Sequence, residues 1–285
     1  MNLSGCNPGL LESNTPKNNT IFWSFLKVKL TLLKIVLPAT YTHSLIKIAG
    51  MPTRKLFFIC TTMTKKTAIL VDGGFFLKRY RSIKKIKQPD PVHTAKDLWE
   101  MCLKHLSQTN GTYELYRIFY YDCLPYEKKQ HNPVTNKAID FAKTDQYNFQ
   151  HNFFEELKKK RKIALRLGIL EDRKRWIINP AKTRELMSGK LKTENLSEDD
   201  VQFDFSQKMV DIKIGLDIAT ITLKRQVDQI ILISGDSDFV PAAKLARREG
   251  VDFLLDPMWN PIKPHLFEHI DGLVSKIERP MNYHR

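Results

Sequence analysis

Two carboxylates stand two positions apart in Ser234-Gly235-Asp236-Ser237-Asp238-Phe239, directly after the apolar run Ile230-Ile231-Leu232-Ile233. A run of that kind suits a strand buried on both faces of a parallel sheet. Aspartates held so close repel one another unless a proton or a cation intervenes, so the pair suggests a divalent-metal site. Two other segments offer carboxylates in comparable settings. Thr67-Ala68-Ile69-Leu70-Val71-Asp72 reads as an apolar strand ending on an acid, and Gly73-Gly74 permits a tight turn with close backbone approach. In Lys208-Met209-Val210-Asp211 a helix begins: Val210, Ile214, Ile218 and Ile221 recur at helical spacing, and Asp211 falls in the first turn near the positive end of the helix dipole. Each aspartate alone is explained as well by a turn or an N-cap. Together Asp72, Asp211, Asp236 and Asp238 describe a cup of hard oxygen ligands, which selects Mg2+ or Mn2+. Metal-assisted hydrolysis of a phosphodiester is the economical chemistry for such a cup. No Ser-His-Asp pattern offers another route, and Gly73-Gly74 does not fit a phosphate-cradling loop.

The elements that must position these residues alternate strand and helix. After Asp238, Pro241 suits a first helical turn, the helix runs through Arg248, Gly250 ends it, and Val251 to Leu255 reads as the next strand. In open α/β sheets ligands bind at the carboxyl edge of such units. Upstream, Phe75 to Leu77 start a helix, His93 to Gln108 is amphipathic, and Tyr113 to Cys123 reads as a second strand ending on Asp122. Gln146 to Arg161 reads as a helix with Phe149, Phe153, Phe154 and Leu157 inward. Ile163 to Glu171 and Trp176 to Ile178 read as two short strands around a turn, and Thr183 to Asp204 as a mobile loop. A short helix over His265 to Asp271 and a last strand within Gly272 to Ile277 follow. The class is α/β, a three-layer α/β/α sandwich with a mostly parallel central sheet. In a second rank stand Asp122, Ser234, Gly235 and Asp217, the last expected to bond Lys213 or Lys208. Arg166, Arg173, Lys174 and Arg175 beside Trp176 fit either nucleic-acid contacts or edge-strand solubility.

The chain has 285 residues and a net charge of +15, with 46 lysines and arginines against 31 acids. A basic body around an acidic pocket suits a polyanion such as RNA. Lys78, Arg79, Arg81 and Lys208 are the side chains expected to contact phosphates. The 4 cysteines have no CxxC spacing, which argues against a zinc site or a disulfide framework and fits a reducing cytoplasm. Residues 1–62 read as a poorly structured extension, 63–279 as the folded domain and 280–285 as a tail. Lys27, Lys29 and Lys34 interrupt the apolar stretch Ile21 to Leu37, so stable membrane insertion is not expected. Met63 reads as a plausible alternative start, because the first strand follows at once.

The segments Val71-Asp72-Gly73-Gly74-Phe75, Val210-Asp211 through Leu216-Asp217, and Ser234-Gly235-Asp236-Ser237-Asp238-Phe239 resemble the NYN domain family, LabA-like branch, of the PIN-like nuclease superfamily. The resemblance covers about Lys66 to Ile277. It implies a PIN-like sandwich and a magnesium-dependent ribonuclease, with Asp72, Asp211, Asp236 and Asp238 matching the acidic metal-binding set. Many members carry Asn soon after the first aspartate, and Gly73-Gly74-Phe75-Phe76 lacks it. A regulator of the same fold that binds RNA or metal without turnover is the alternative, and a homo-oligomer is compatible with either.

Overall fold

A computed structural model of the chain describes residues 64–107 and 113–280. The readings made above for the N-terminal extension, for Met63 and for the tail beyond 280 lie outside these residues. Thr67 to Val71 is buried in β1 (Lys65–Asp72). Asp72 then caps α1 (Gly73–Lys84) by accepting from the Phe75 backbone N–H. Asp90 caps α2 (Pro91–Leu106), which leads into β2 (Tyr113–Cys123). A small hairpin, β3 (Lys129–His131) and β4 (Ala138–Asp140), precedes α3 (Asp145–Lys158). Then come β5 (Ile163–Ile178), α4 (Pro180–Met187), β6 (Val201–Lys208) and α5 (Val210–Leu223). The chain continues through β7 (Gln229–Ile233), α6 (Val240–Arg248), β8 (Asp252–Asp256), α7 (Pro264–Phe267) and β9 (Gly272–Leu273).

Seven strands form one sheet in the order β6-β5-β2-β1-β7-β8-β9. All neighbours are parallel except β5 and β6. Side chains on the central strands alternate between two cores. Ala68 and Leu70 of β1 join Ile230 and Leu232 of β7 against Ile214 and Ile218 of α5 and Ala243 and Ala246 of α6. Ile69, Val71, Ile231 and Ile233 point to the opposite face, with Phe76, Leu98, Phe153 and Leu157 from α1, α2 and α3. Helices cover both faces, so the continuous apolar runs of β1 and β7 are wholly buried. This is the expected α/β/α arrangement.

Two expectations change. Ile163 to Ile178 is one long strand rather than two, with an irregular pairing to β6 between Asp172 and Trp176. The stretch from Thr183 to Asp204 is not a bare loop: it holds most of α4, two short 3-10 turns and the start of β6. β6 is held by rings. Tyr126, Phe141, Trp176, Phe203 and Phe205 cluster with centroids 5.0 to 5.8 Å apart. Arg175 donates to Asp204 at 2.6 Å and Arg173 to Ser206 Oγ at 3.2 Å, so two of the charges weighed as nucleic-acid contacts tie β5 to β6.

Gly73 begins α1 where the chain passes over β2. A Cβ there would lie 2.5 Å from Tyr120 Oη and 2.6 Å from the Tyr121 carbonyl oxygen. The carbonyl belongs to a strand paired on both sides and has little freedom to retreat. Gly73→Ala is therefore expected to destabilise the fold by about 1–3 kcal/mol, read as a lower urea midpoint.

Candidate metal centre

Strand β1 has β2 on one side and β7 on the other, so chain connections diverge at its carboxyl end, a switch point where α/β sheets bind ligands. Val71 pairs with Ile233, which brings Asp72 and Ser234 out side by side. Ser234 Oγ donates to Asp72 Oδ2 at 3.3 Å, and the Phe75 N–H donates to Asp72 Oδ1 at 3.0 Å. The Asp236 N–H donates to Ser234 Oγ at 3.3 Å, and the Asp238 N–H to Asp236 Oδ1 at 3.0 Å. One chain of hydrogen bonds thus runs from the tip of the β7 loop to the end of β1. Across the edge, Met209 takes a left-handed turn at φ 73°, and Asp211 enters the first turn of α5 as an exposed carboxylate.

These acids feel one another. Burial pushes the Asp72 carboxyl up; the Phe75 N–H and Ser234 oppose this, and the charges of Asp211 and Asp236 add to it. Partial desolvation at the start of α5 also raises the otherwise exposed Asp211, followed by the charges of Asp236 and Asp238. Mutual repulsion within an all-oxygen donor set is what a bound divalent cation would relieve, so the residues fit such an ion. Asp236 and Asp238 are exposed and Asp72 is half-buried, so these carboxylates are open to solvent.

A second group has a different chemistry. Among the described residues, His265, Glu268 and His269 are the one trio of His, Cys, Asp or Glu whose ligand atoms all lie within 4.8 Å of one another. The aspartates are set wider than this. Magnesium commonly retains several waters and bonds only one or two carboxylates, so wider spacing is compatible with it.

The second-rank residues separate. Asp122 is 3 % exposed, accepts from Tyr120 Oη at 3.2 Å and from the Cys123 N–H at 2.7 Å, and stays inside. Burial pushes its pKa up to about 6, against the Cys123 and Tyr120 hydrogen bonds and with a smaller push from the Asp72 charge. Its proton thus leaves at a higher pH in the folded chain than in the unfolded one. Stability contributed by this group falls as pH rises from about 4 to about 6, and the full cost applies above. Asp122→Asn is expected to stabilise the protein by up to ~3 kcal/mol at pH 7.5 and by almost nothing at pH 3.5, read from urea midpoints at both values.

Asp217 accepts from Tyr121 Oη at 2.8 Å and Arg166 Nε at 3.2 Å. Its partners are these, not Lys213 or Lys208: Lys213 donates to the Leu167 carbonyl and Lys208 pairs with Glu171. Gly235 lies under Phe75, where an added Cβ would stand 2.8 Å from the ring. Of the four expected phosphate contacts, Lys78 is exposed. Arg79 donates through Nε and Nη2 to the Met258 carbonyl at 3.2 and 2.9 Å, and the Arg81 guanidinium lies 5.5 Å from the Phe149 ring centre.

Sequence reasoning passed over two features. A Cβ on Gly74 would lie 3.6 Å from Asp72 Oδ1 and 3.7 Å from Gln207 Oε1, so the Gln207 amide borders the cup. Its signal was hidden because β6 itself went unread. A groove of about 400 Å³ between α5 and α6 is walled by Ile212, Phe239, Ala242 and Leu245, with Asp211 and Asp238 in the same wall.

No match is found among curated proteins. Among solved structures, a crystal structure of a protein of unknown function from Vibrio parahaemolyticus is similar at 17 % identity and a TM-score of 0.37, covering 74 % of this chain and 93 % of that one. Residues 151–259, which include Asp211, Asp236 and Asp238, match the NYN domain family. Over that stretch, from α3 to the loop after β8, the chain is similar to the NYN domain family, which belongs to the PIN-like nuclease superfamily.

Proposed function

We propose that this protein is a ribonuclease that hydrolyses RNA phosphodiester bonds at the carboxyl edge of β1 and β7, with Asp72, Asp211, Asp236 and Asp238 holding Mg2+ or Mn2+. One observation supports the reading: at the switch point of a parallel sheet, Asp72 and Asp211, each raised first by desolvation, are raised further by the charges of aspartates from distant segments. The nuclease-like character of the superfamily supports it. A divalent ion in the cup supplies charge neutralisation at the scissile phosphate and activation of water.

The protein's own residues do the rest. Ser234 and the Phe75 N–H fix both oxygens of Asp72, so its carboxylate is oriented before substrate arrives. The Asp238 N–H does the same for Asp236. Exposed Lys78 adds positive charge on α1. The groove that shares Asp211 and Asp238 with the cup gives the nucleoside beside the phosphate an apolar wall, which favours single-stranded RNA with an unstacked base.

The test is incubation of the purified chain with single-stranded RNA and Mg2+ or Mn2+. Cleavage that stops on chelation and returns with either ion is expected. Cleavage that persists in chelator would contradict the reading. A second reading, RNA binding without turnover, is favoured by the wide spacing of the aspartates; it predicts a gel shift with intact RNA under every divalent ion.

A further inference from the structure

We propose that His265, Glu268 and His269 form a second metal site, one that takes a borderline transition ion such as Zn2+ and not Mg2+. The two histidines are four positions apart and the glutamate lies between them at the third, so all three side chains leave the same side of one helical turn. That turn is well formed at its end: the Glu268 N–H bonds the Pro264 carbonyl at 3.1 Å and the His269 N–H bonds that of Leu266 at 3.1 Å. The imidazole rings stand nearly perpendicular, 87° apart, with centroids 5.2 Å from each other. All three ligand atoms fall within 4.8 Å of one another, so a small side-chain adjustment brings them to the separations of about 3.3–3.6 Å that a tetrahedral ion bonded at about 2.0–2.2 Å requires.

Donor chemistry sets the class of ion. Two imidazoles and one carboxylate suit zinc, cobalt or nickel, whereas magnesium requires oxygen. His265 and Glu268 are exposed and His269 is half-buried, so a fourth position is open to water or to an outside ligand.

The site sits beside the acidic cup without sharing a residue with it. Lys263, one position before α7, donates to Ser237 Oγ at 3.3 Å, and Ser237 lies between Asp236 and Asp238. An ion in the trio would stiffen α7 where it meets that loop.

The experiment is a calorimetric titration of the full chain with Zn2+, and a parallel titration with Co2+ followed by its visible absorption. Three proteins are compared: wild type, His265→Ala/His269→Ala, and Asp236→Asn. The double variant removes exposed or half-exposed side chains, and its circular dichroism and thermal midpoint are recorded as a fold control. Wild type and Asp236→Asn are expected to bind one Zn2+ at least tenfold more tightly than the double variant does, with excess Mg2+ failing to compete. Equal zinc affinity in wild type and the double variant would overturn the site. So would loss of zinc binding in Asp236→Asn, which would assign the ion to the aspartates.

Discussion

Asp236→Asn is expected to lower metal-dependent RNA cleavage by about a thousandfold while leaving the fold intact. Lewis-acid stabilisation at a phosphate is worth several kcal/mol, and about 4 kcal/mol corresponds to three powers of ten in rate. The substitution is nearly isosteric. Asparagine retains a carbonyl oxygen where Asp236 Oδ1 accepts from the Asp238 N–H, so the turn at the end of β7 keeps its hydrogen bond. Only the negative charge is lost. That charge pushes on Asp72 and Asp211, so its removal relieves repulsion in the metal-free protein. Activity and stability should therefore move apart: turnover collapses while the thermal midpoint in chelator stays level or rises. A variant that loses both has unfolded, and one that keeps full activity removes Asp236 from the account.

Asp256→Ala is expected to cost about 3–5 kcal/mol of stability, the largest loss foreseen for one side chain. Asp256 ends β8, and its carboxylate meets His105 Nε2 of α2 at 2.8 Å, with the two side chains 0 % and 1 % exposed. Asp256 Oδ1 also accepts from the Met258 N–H at 2.8 Å, and Oδ2 from the Lys276 N–H at 3.3 Å. Truncation leaves a buried imidazole and two backbone donors without their acceptor. Many buried ion pairs can be replaced by apolar pairs at little cost. Here that exchange should fail, because His105→Leu/Asp256→Leu still strands both backbone N–H groups. Urea unfolding of the single and double variants checks both statements. A loss under 1 kcal/mol for Asp256→Ala would show that water reaches these groups.

The centre of the sheet was legible in sequence because its strands are buried on both faces. Val71 and Ile233 needed no partner to be read as strand, and each is followed by a polar residue that marks the strand's end. The acids Asp72, Asp211, Asp236 and Asp238 drew attention together because each stands at or close after an element's end, where a site is expected. The outer strand was not legible. Val201-Gln202-Phe203-Asp204-Phe205-Ser206 becomes β6 because its rings meet Tyr126 and Phe141, some sixty residues or more upstream, and no local pattern carries that contact. Asp217 had its acceptor role read correctly but its partners wrongly. Nearby lysines were the local choice, whereas Tyr121 and Arg166 arrive from β2 and β5 across the sheet. Arg79 likewise looked like a substrate contact until the fold brought the Met258 carbonyl to it. The trio at His265 drew no notice because a reading aimed at carboxylates passes over a short helix with two histidines.

Binding of Mn2+, followed by electron paramagnetic resonance, tests the centre of the account most directly. Wild type, Asp72→Asn, Asp211→Asn and His265→Ala/His269→Ala are titrated side by side. The account predicts that Mg2+ displaces Mn2+ from wild type, that each aspartate variant binds it at least tenfold more weakly, and that the histidine variant binds it as wild type does. Undiminished Mn2+ affinity in both Asp72→Asn and Asp211→Asn would contradict it.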